Sequence, residues 1–318
     1  MKLLNSKISL KTPLFLLSIL GITSCQTNTA DFDCSTVDNT VASIWKTCSN
    51  DHTTDAFTPT YSETTSGTTR SITSNNIPNH SYGAPQDKMA AITKTYTMPE
   101  NPSLSGTTKS VFGNSRIDFI FGIGLNGVKM DPAANFPYEN PNTGEQNYDW
   151  VLEATNNSGV NIGAVNVNLD CNQAHLQATG AYHYHGDFPD FAAAISVGAV
   201  GNDMLQVGWA ADGYPIYYKY AYNNANDANS GVSEMNTSFQ IKAGERPGDG
   251  LSAPCGTYNG KYEQDYEYVS TLGDLDECNG RTGVTPEFPG GTYYYVVTAS
   301  YPAIPRCFKG SPDNSFRI

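Results

Sequence analysis

Three histidines that lie close together in the sequence have the clearest capacity for chemistry in this chain. His183 and His185 alternate with Tyr182 and Tyr184, and His175 lies eight residues before His183. Successive side chains of a strand point to opposite faces, so an extended segment would place both histidines on one face and both tyrosines on the other. Imidazoles that converge from neighbouring segments bind zinc or copper. The spacing predicts a metal site made by His175, His183 and His185, with ring nitrogens within about 4 Å of one another.

Other residues are candidates to complete this site. His80 is a candidate fourth ligand or nearby acid/base group, and Asp187, Asp190 and Asp212 are candidates to orient the imidazoles through hydrogen bonds. Three histidines with one open position are typical of hydrolytic zinc, which turns bound water into a nucleophile near neutral pH. Nothing in the sequence resembles the methionine or thiolate surroundings of an electron-transfer copper centre. The fold is not expected to be a cupin, because Pro189 occupies the position of the cupin glutamate.

Two other interpretations of the histidines stay open from the sequence. The Tyr-His-Tyr-His run could be structural, with imidazoles hydrogen-bonded to backbone carbonyls or buried carboxylates. The histidines could also transfer protons without a metal, since an ordinary histidine titrates near neutral pH. The sequence therefore leaves open whether the protein is a metal-dependent enzyme or a metal-binding protein.

A dense group of tyrosines suggests a different class of function. The group consists of Tyr214, Tyr217, Tyr218, Tyr220 and Tyr222. Exposed aromatic rings suit the binding of glycans or proteins, although alternating tyrosines in strands more often pack in the core. The alternative function is a non-catalytic binding or adhesion module of the cell envelope, with a glycan or protein partner and a structural histidine motif.

A second candidate cation site is a calcium site near the end of the chain. Asp274, Asp276 and Asn279 carry oxygen-bearing side chains at short spacing, as calcium ligands do. The next glycine comes one position too late for an EF-hand loop, and no glutamate follows at the required place. Asp276 and Glu277 could instead pair with Arg281.

The sequence around these residues has the pattern that is typical of strands. Apolar and aromatic runs recur between Gly, Pro and Asn, and predict strands at residues 92–98, 117–123, 150–154, 163–169, 182–185, 206–210, 216–220 and 292–298. The pairs Asn126-Gly127 and Asp212-Gly213 predict tight turns. Alanines after an aspartate predict one helix near residues 188–200. We expect a mainly β fold, a single aromatic-rich, β-sandwich-like domain with few short helices and disulfides.

Six cysteines after residue 25 indicate disulfides, since an even number is typical of exported proteins. They are Cys34, Cys48, Cys171, Cys255, Cys278 and Cys307. The sequence does not choose among their pairings, although Cys34 with Cys48 is the natural local pair. That pair would hold a short helix over residues 34–50, where apolar residues recur at helical spacing. Residues 51–70 are rich in Thr and Ser and predict a loop or linker.

The first 24 residues predict an export signal. Lysines precede an apolar run over residues 13–20, which is too short to span a membrane and ends in small residues. Residues 22–25, Ile-Thr-Ser-Cys, resemble a bacterial lipobox, which implies cleavage before Cys25 and lipidation of that cysteine. We expect a lipoprotein that Cys25 anchors to a bacterial membrane, the outer membrane, on its extracytoplasmic side.

The charge of the chain restricts its partners. It contains 31 acidic and 18 basic residues, and its formal net charge is −13. Such a chain repels the phosphates of nucleic acids, so we expect no nucleic-acid partner. The acidic excess is suited to a solvated surface outside the cytoplasm or to cation binding.

Several blocks of the sequence resemble the bacterial YHYH-domain proteins. The central block is residues 172–186, and residues 72–80, 124–128, 208–217, 275–281 and 285–293 match in the same order. The resemblance implies an extracytoplasmic bacterial protein, often a lipoprotein, and carries no activity with it. The predicted organisation is a signal peptide at 1–24, then lipidated Cys25, a tether, the Cys34/Cys48 helical segment and the linker over 25–67, and a YHYH domain over 68–318.

Overall fold

The computed structural model describes residues 32–36, 39–49, 57–83, 89–114, 116–159, 161–162 and 165–318. Residues 33–318 form one compact unit. The predicted signal peptide and Cys25 lie outside the described residues. Within the described ranges, no helix has the length and apolar character needed to cross a membrane.

Strands dominate this unit, which confirms the prediction of a mainly β fold. In chain order the strands are β1 (Ala42–Ser43), β2 (Cys48–Ser49), β3 (Tyr61–Ser66), β4 (Thr69–Ser74), β5 (Tyr82–Gly83), β6 (Lys94–Pro99), β7 (Lys109–Ser110), β8 (Phe112–Gly113), β9 (Arg116–Ile117), β10 (Gly122–Gly124), β11 (Lys129–Met130), β12 (Pro137–Glu139), β13 (Gln146–Val151), β14 (Asn157–Ser158), β15 (Asn161–Ile162), β16 (Val165–Asn166), β17 (Ala174–Leu176), β18 (Tyr182–Tyr184), β19 (Gln206–Ala210), β20 (Pro215–Tyr218), β21 (Tyr220–Tyr222), β22 (Val232–Glu234), β23 (Phe239–Ile241), β24 (Tyr266–Tyr268), β25 (Gly280–Gly283), β26 (Thr292–Val297) and β27 (Cys307–Phe308). The described helices are α1 (Pro189–Ile195) and the short 3-10 helices Cys34–Thr36, Glu263–Asp265 and Asn314–Phe316.

A curled eight-stranded sheet is the centre of the fold, with the order β17-β18-β11-β10-β19-β20-β26-β25. Strands β18 and β11 pair in parallel, as do β20 and β26, and the other neighbours are antiparallel. Strand β18 therefore lies between the hairpin partner β17 and a strand that is distant in sequence. A separate antiparallel sheet has the order β3-β4-β6.

Aromatic side chains fill the main core. Tyr182, Tyr184, Phe188 and Phe191 are fully buried in one cluster, where the ring of Tyr184 stacks on that of Phe191 at 5.9 Å between centroids. Helix α1 supplies Phe191 and thus covers the tyrosine face of β18. Tyrosines 214, 217 and 218 of the dense tyrosine group are also buried. Those three therefore pack in the core and do not form an exposed platform, and a glycan or protein partner stays a prediction.

Both predicted tight turns are present. Gly127 and Gly213 have φ of 80° and 90°, the left-handed region that glycine adopts most readily. The Asp212 carboxylate accepts hydrogen bonds from the Tyr295 hydroxyl at 2.6 Å and the Gly310 amide at 2.8 Å. Asp212 thus holds the turn between β19 and β20 in the core, and the hydrogen bonds of both its oxygens go to groups other than an imidazole.

The predictions for the N-terminal segment need correction. The disulfides join Cys34 to Cys255, Cys48 to Cys171 and Cys278 to Cys307. Residues 39–49 contain strands β1 and β2 instead of a helix, and β3 lies within the predicted linker. The reason is that β1 pairs with β14 and β2 with β5, both distant in sequence, whereas β3 forms a hairpin with the next strand, β4.

Replacing Cys48 and Cys171 together by serine is expected to lower the free energy of unfolding by about 4–5 kcal/mol, because this disulfide shortens a long loop in the unfolded chain. The paired cysteines are 123 residues apart, against 29 for Cys278 and Cys307. The matched Cys278→Ser/Cys307→Ser variant should lose about 3–4 kcal/mol. Urea unfolding of the oxidised proteins measures both losses, and a first variant as stable as wild type would contradict the assigned pairing.

Candidate metal centre

Strand pairing brings the three predicted histidines to one face of the large sheet. In the β17–β18 hairpin, His175 lies directly opposite His183. The His185 amide continues the ladder by donating to the Gln173 carbonyl at 2.8 Å. His185 is two residues from His183, so it shares the same face and lies diagonal to His175.

The imidazoles of this cluster converge. The Nε2 atoms of His175 and His185 are 3.1 Å apart, and the ring centroids of the three histidines are 4.6–4.9 Å apart. One ligand nitrogen from each histidine lies within 4.8 Å of the others. Two nitrogens bound to one tetrahedral zinc are about 3.3 Å apart, given zinc–nitrogen bonds of about 2.0–2.1 Å. The His175 and His185 nitrogens are already near that spacing, and the cluster as a whole is somewhat wider.

The remaining ring nitrogens decide which atoms can bind a metal. Nδ1 of His183 donates to the Ala181 carbonyl at 3.3 Å, which leaves the Nε2 lone pair of His183 free for a ligand. Nδ1 of His185 is buried and has no well-aligned hydrogen-bond partner, although the Pro132 carbonyl is close enough to the imidazole to raise its pKa. His183 would therefore bind a metal through Nε2, and the facing Nε2 atoms of His175 and His185 would complete the ligand set.

Burial keeps these imidazoles neutral. It lowers the pKa of His175 to about 4, and the positive charges of Lys129 and Lys46 act in the same direction. Burial and the neighbouring histidines hold the pKa values of His183 and His185 well below the usual range. The neutral imidazole is the form that binds metal, so the cluster is ready for a cation at neutral pH without first releasing protons.

The tyrosines of the same strand anchor it from the core side. The Tyr182 hydroxyl donates to Asp170 Oδ2 at 2.7 Å, and the Tyr184 hydroxyl accepts from Asn126 Nδ2 at 2.8 Å. Asp170 also accepts from the Gly83 amide at 2.9 Å, in strand β5. These bonds tie β18 to the turn before β17, the Asn-Gly turn and β5.

A cavity of about 320 Å³ opens beside the histidines, and Asp131 lines it together with all three of them. Much of the rest of its lining is apolar and includes Ala134, Phe136 and Val167. Asp131 is 3% exposed, and burial raises its pKa to about 6. The sequence carries little signal for this residue beyond one acid in a largely apolar stretch after the Asn-Gly turn.

His80, predicted as a fourth ligand or nearby acid/base group, is not part of the cluster. Its Nδ1 donates to the Ser81 carbonyl at 2.6 Å, and its Nε2 accepts from the Tyr184 hydroxyl at 2.6 Å. The Tyr184 side chain lies on the core face of β18, so His80 is on the opposite side of the strand from His183 and His185.

Asp187 and Asp190, predicted to orient imidazoles, have other partners. Asp187 accepts from the Tyr218 hydroxyl at 2.5 Å and pairs with Lys219 at 2.7 Å. Asp190 accepts from the Ser81 hydroxyl at 2.5 Å. The backbone carbonyl of residue 181 takes the place of a carboxylate as the orienting acceptor for the cluster.

The candidate calcium ligands Asp274, Asp276 and Asn279 have other partners. Asp274 accepts from the Asn236 amide at 2.8 Å, and Asp276 pairs with Lys309 at 3.2 Å. The Asn279 side-chain amide donates to a backbone carbonyl at 2.9 Å. These side chains stabilise loops, and the prediction of a calcium site is not supported by their placement.

Comparison with known proteins gives one match. The sequence profile of the family described as YHYH protein matches residues 95–310, which include the three histidines and Asp131. No curated protein and no solved structure matches the chain.

Lowering the pH should destabilise the metal-free protein through His175. Its pKa is about 4 in the folded protein against an ordinary value of 6.5, so the unfolded chain binds the proton first as the pH falls. His175 therefore contributes fully to the free energy of unfolding above pH 6.5. Between pH 6.5 and pH 4 that contribution falls by about 3 kcal/mol. Urea unfolding in the presence of a chelator, at pH 7 and pH 4.5, measures it.

The matched control is His175→Gln, which cannot titrate. Buried acids such as Asp131 and Asp212, whose pKa values are raised to about 6, contribute the opposite slope in both proteins. The wild type should therefore lose more stability than the variant over this pH interval. Equal losses would show that His175 is not held neutral.

Proposed function

The chain belongs to the YHYH protein family, and from this premise we propose that it is a metal-binding protein of the bacterial envelope. In this proposal His175, His183 and His185 hold one divalent ion, zinc or copper, and the fourth position is open.

The convergence of three buried, neutral imidazoles is the observation that supports this proposal most directly. Buried polar groups in proteins nearly always have hydrogen-bond partners. Here the Nε2 atoms of His175 and His185 face each other at 3.1 Å, and His183 directs its Nδ1 away toward a carbonyl. One cation would satisfy all three lone pairs at once, whereas without it an Nε2–H of the facing His175–His185 pair can satisfy only one of them.

The ligand types select the metal. Neutral imidazole suits zinc and copper, whereas magnesium and calcium require oxygen ligands. The residues that line the cavity include neither cysteine nor methionine. All six cysteines of residues 33–318 are paired in disulfides. Soft ligands of the kind that select copper(I) are thus missing from this set, which favours zinc or copper(II).

Export and anchoring complete the proposal. The lipobox-like residues 22–25 and the preceding apolar run support removal of residues 1–24 and lipidation of Cys25. Three disulfides are consistent with an oxidising compartment outside the cytoplasm.

Metal titration of the purified protein tests the site. Calorimetry with zinc, and with copper(II), should give one ion per chain. The His183→Ala/His185→Ala variant should lose binding by about 100-fold or more, because only one imidazole remains. His80→Gln is the matched control, since it removes a histidine whose nitrogens bind Ser81 and Tyr184.

Each outcome bears on the proposal. Stoichiometric metal in the wild type and His80→Gln, with loss in the double variant, supports it. A wild type that folds but binds neither metal would contradict it, and so would equal affinity in the double variant. Circular dichroism confirms that the three proteins are folded.

Anchoring through Cys25 is tested in bacteria that process lipoproteins. The wild type should incorporate labelled palmitate and partition with membranes, whereas Cys25→Ser should do neither, because it lacks the thiol. Mass spectrometry of the N-terminal peptide identifies the acyl groups. Unmodified Cys25 in the mature wild type would contradict the anchor and leave the metal site unaffected.

A further inference from the structure

We propose that the histidine centre is hydrolytic, with Asp131 accepting the proton of a water molecule bound beside the three histidines, and that it cleaves small, uncharged esters. This inference rests on the proposed function, because the bound metal is what makes that water acidic. It adds a catalytic residue, a reaction and a class of substrate.

The sheet places Asp131 on the histidine face. In the parallel pairing of β11 with β18, Lys129 lies beside His183 and Met130 beside Tyr184. The Asp131 amide donates to the Tyr184 carbonyl at 2.9 Å, so the pairing continues by one residue. Alternation along β11 then puts Lys129 and Asp131 on the same face as the histidines, with Met130 in the core.

The Asp131 carboxylate keeps one oxygen unused. Oδ2 accepts from Gln177 Nε2 at 3.4 Å and lies 3.7 Å from Lys129 Nζ. Oδ1 is buried and has no hydrogen-bond partner. A buried carboxylate oxygen without a partner is costly, and a water or substrate held in the cavity that Asp131 lines would supply the missing donor.

Asp131 is suited to be a base and not a fourth ligand. The atoms close enough to share one ion come from the three histidines, and no Asp131 oxygen belongs to that group. An open position with a carboxylate nearby is the arrangement in which bound water can be deprotonated. Its unpartnered Oδ1 belongs to a side chain that lines the same cavity as the histidines, which is where a bound water would lie.

The cavity indicates the class of substrate. Its volume of about 320 Å³ lies at the lower end of the range for small-molecule sites, which suits a small reacting group. Ala133, Ala134, Phe136 and Val167 give it apolar walls, while exposed Asn135 lies at its rim. A short acyl chain fits these walls without leaving a charge unpaired, and an uncharged ester carbonyl can approach the open position.

The reaction balances without any further reactant. Water gives a proton to Asp131 Oδ1, and its oxygen forms a bond to the ester carbonyl carbon. The tetrahedral adduct then breaks its bond to the alkoxy oxygen, which takes the proton back from Asp131. Ester and water thus become a carboxylic acid and an alcohol, and the carboxylate is regenerated.

Hydrolysis of 4-nitrophenyl acetate by the zinc-loaded full-length protein tests the proposal. The wild type should exceed free zinc at equal concentration. Asp131→Asn should retain one zinc per chain but lose about 100-fold in kcat/KM, because the amide cannot accept the proton. Asp131→Glu, which keeps a carboxylate, should recover part of the activity. The matched control is Asp187→Asn, an acid two residues after His185 whose carboxylate binds Tyr218 and Lys219.

The pH profile of kcat/KM separates a proton acceptor from a structural role. The acid limb of the wild type should change shape in Asp131→Asn, whereas a structural defect would lower activity equally at every pH. Thermal unfolding confirms that the variants are folded, and if Asp131→Asn is not, Asp131→Glu with its shifted acid limb provides the test.

The outcomes distinguish this proposal from the metal site itself. A wild type that holds zinc but does not exceed free zinc overturns the hydrolytic proposal alone. Loss of zinc from Asp131→Asn also overturns it, by making Asp131 a ligand. Unchanged kcat/KM in that variant excludes Asp131 as the base. A wild type without zinc overturns the metal site proposed above.

Discussion

The anchoring of strand β18 by its two tyrosines is the constraint on which the histidine centre depends. A strand has two faces, and a slip of one residue would exchange them. The hydroxyls of Tyr182 and Tyr184 reach Asp170 and Asn126 inside the core. Their burial and hydrogen bonds prevent the exchange, because both hydroxyls would lose their partners. Tyrosine and histidine therefore have complementary roles: the tyrosines fix the strand, and the histidines face the cavity.

Distant segments hold this strand in place on both sides. Asn76 donates to the Tyr182 carbonyl at 2.6 Å and accepts from the Lys129 amide at 3.3 Å, so it links β18 to β11 where their parallel pairing begins. On the other side, the disulfide between Cys48 and Cys171 lies just before β17. The register of β17 against β18, which aligns His175 with His183, and the register of β11 against β18 thus depend on contacts between residues far apart in sequence.

The difference between local features and contacts distant in sequence explains how much of the site could be predicted from the sequence. The histidine face follows from alternation within six residues and a short hairpin, both local properties. The Asn126-Gly127 turn was predictable for the same reason. Asp131 was not, because its place beside the histidines comes from a parallel pairing of strands about fifty residues apart. The disulfide pairing could not be predicted for the same reason. Proximity in sequence favoured Cys34 with Cys48, whereas each of them pairs with a cysteine more than a hundred residues away.

The unsatisfied atoms beside the cavity give a physical reason to regard it as a site. Seven buried side-chain polar atoms lack partners among the described residues, and two of them, Asp131 Oδ1 and His185 Nδ1, belong to side chains that line this cavity. Each such atom costs about 1–3 kcal/mol. The same burial that depresses the pKa values of the histidines raises that of the aspartate. Neutral imidazoles bring no positive charge to the cavity, and a cation with its bound water would give Asp131 Oδ1 the donor that it lacks. The fold tolerates the cost of these unpartnered atoms because the tyrosine core on the other face of β18 stabilises the strand.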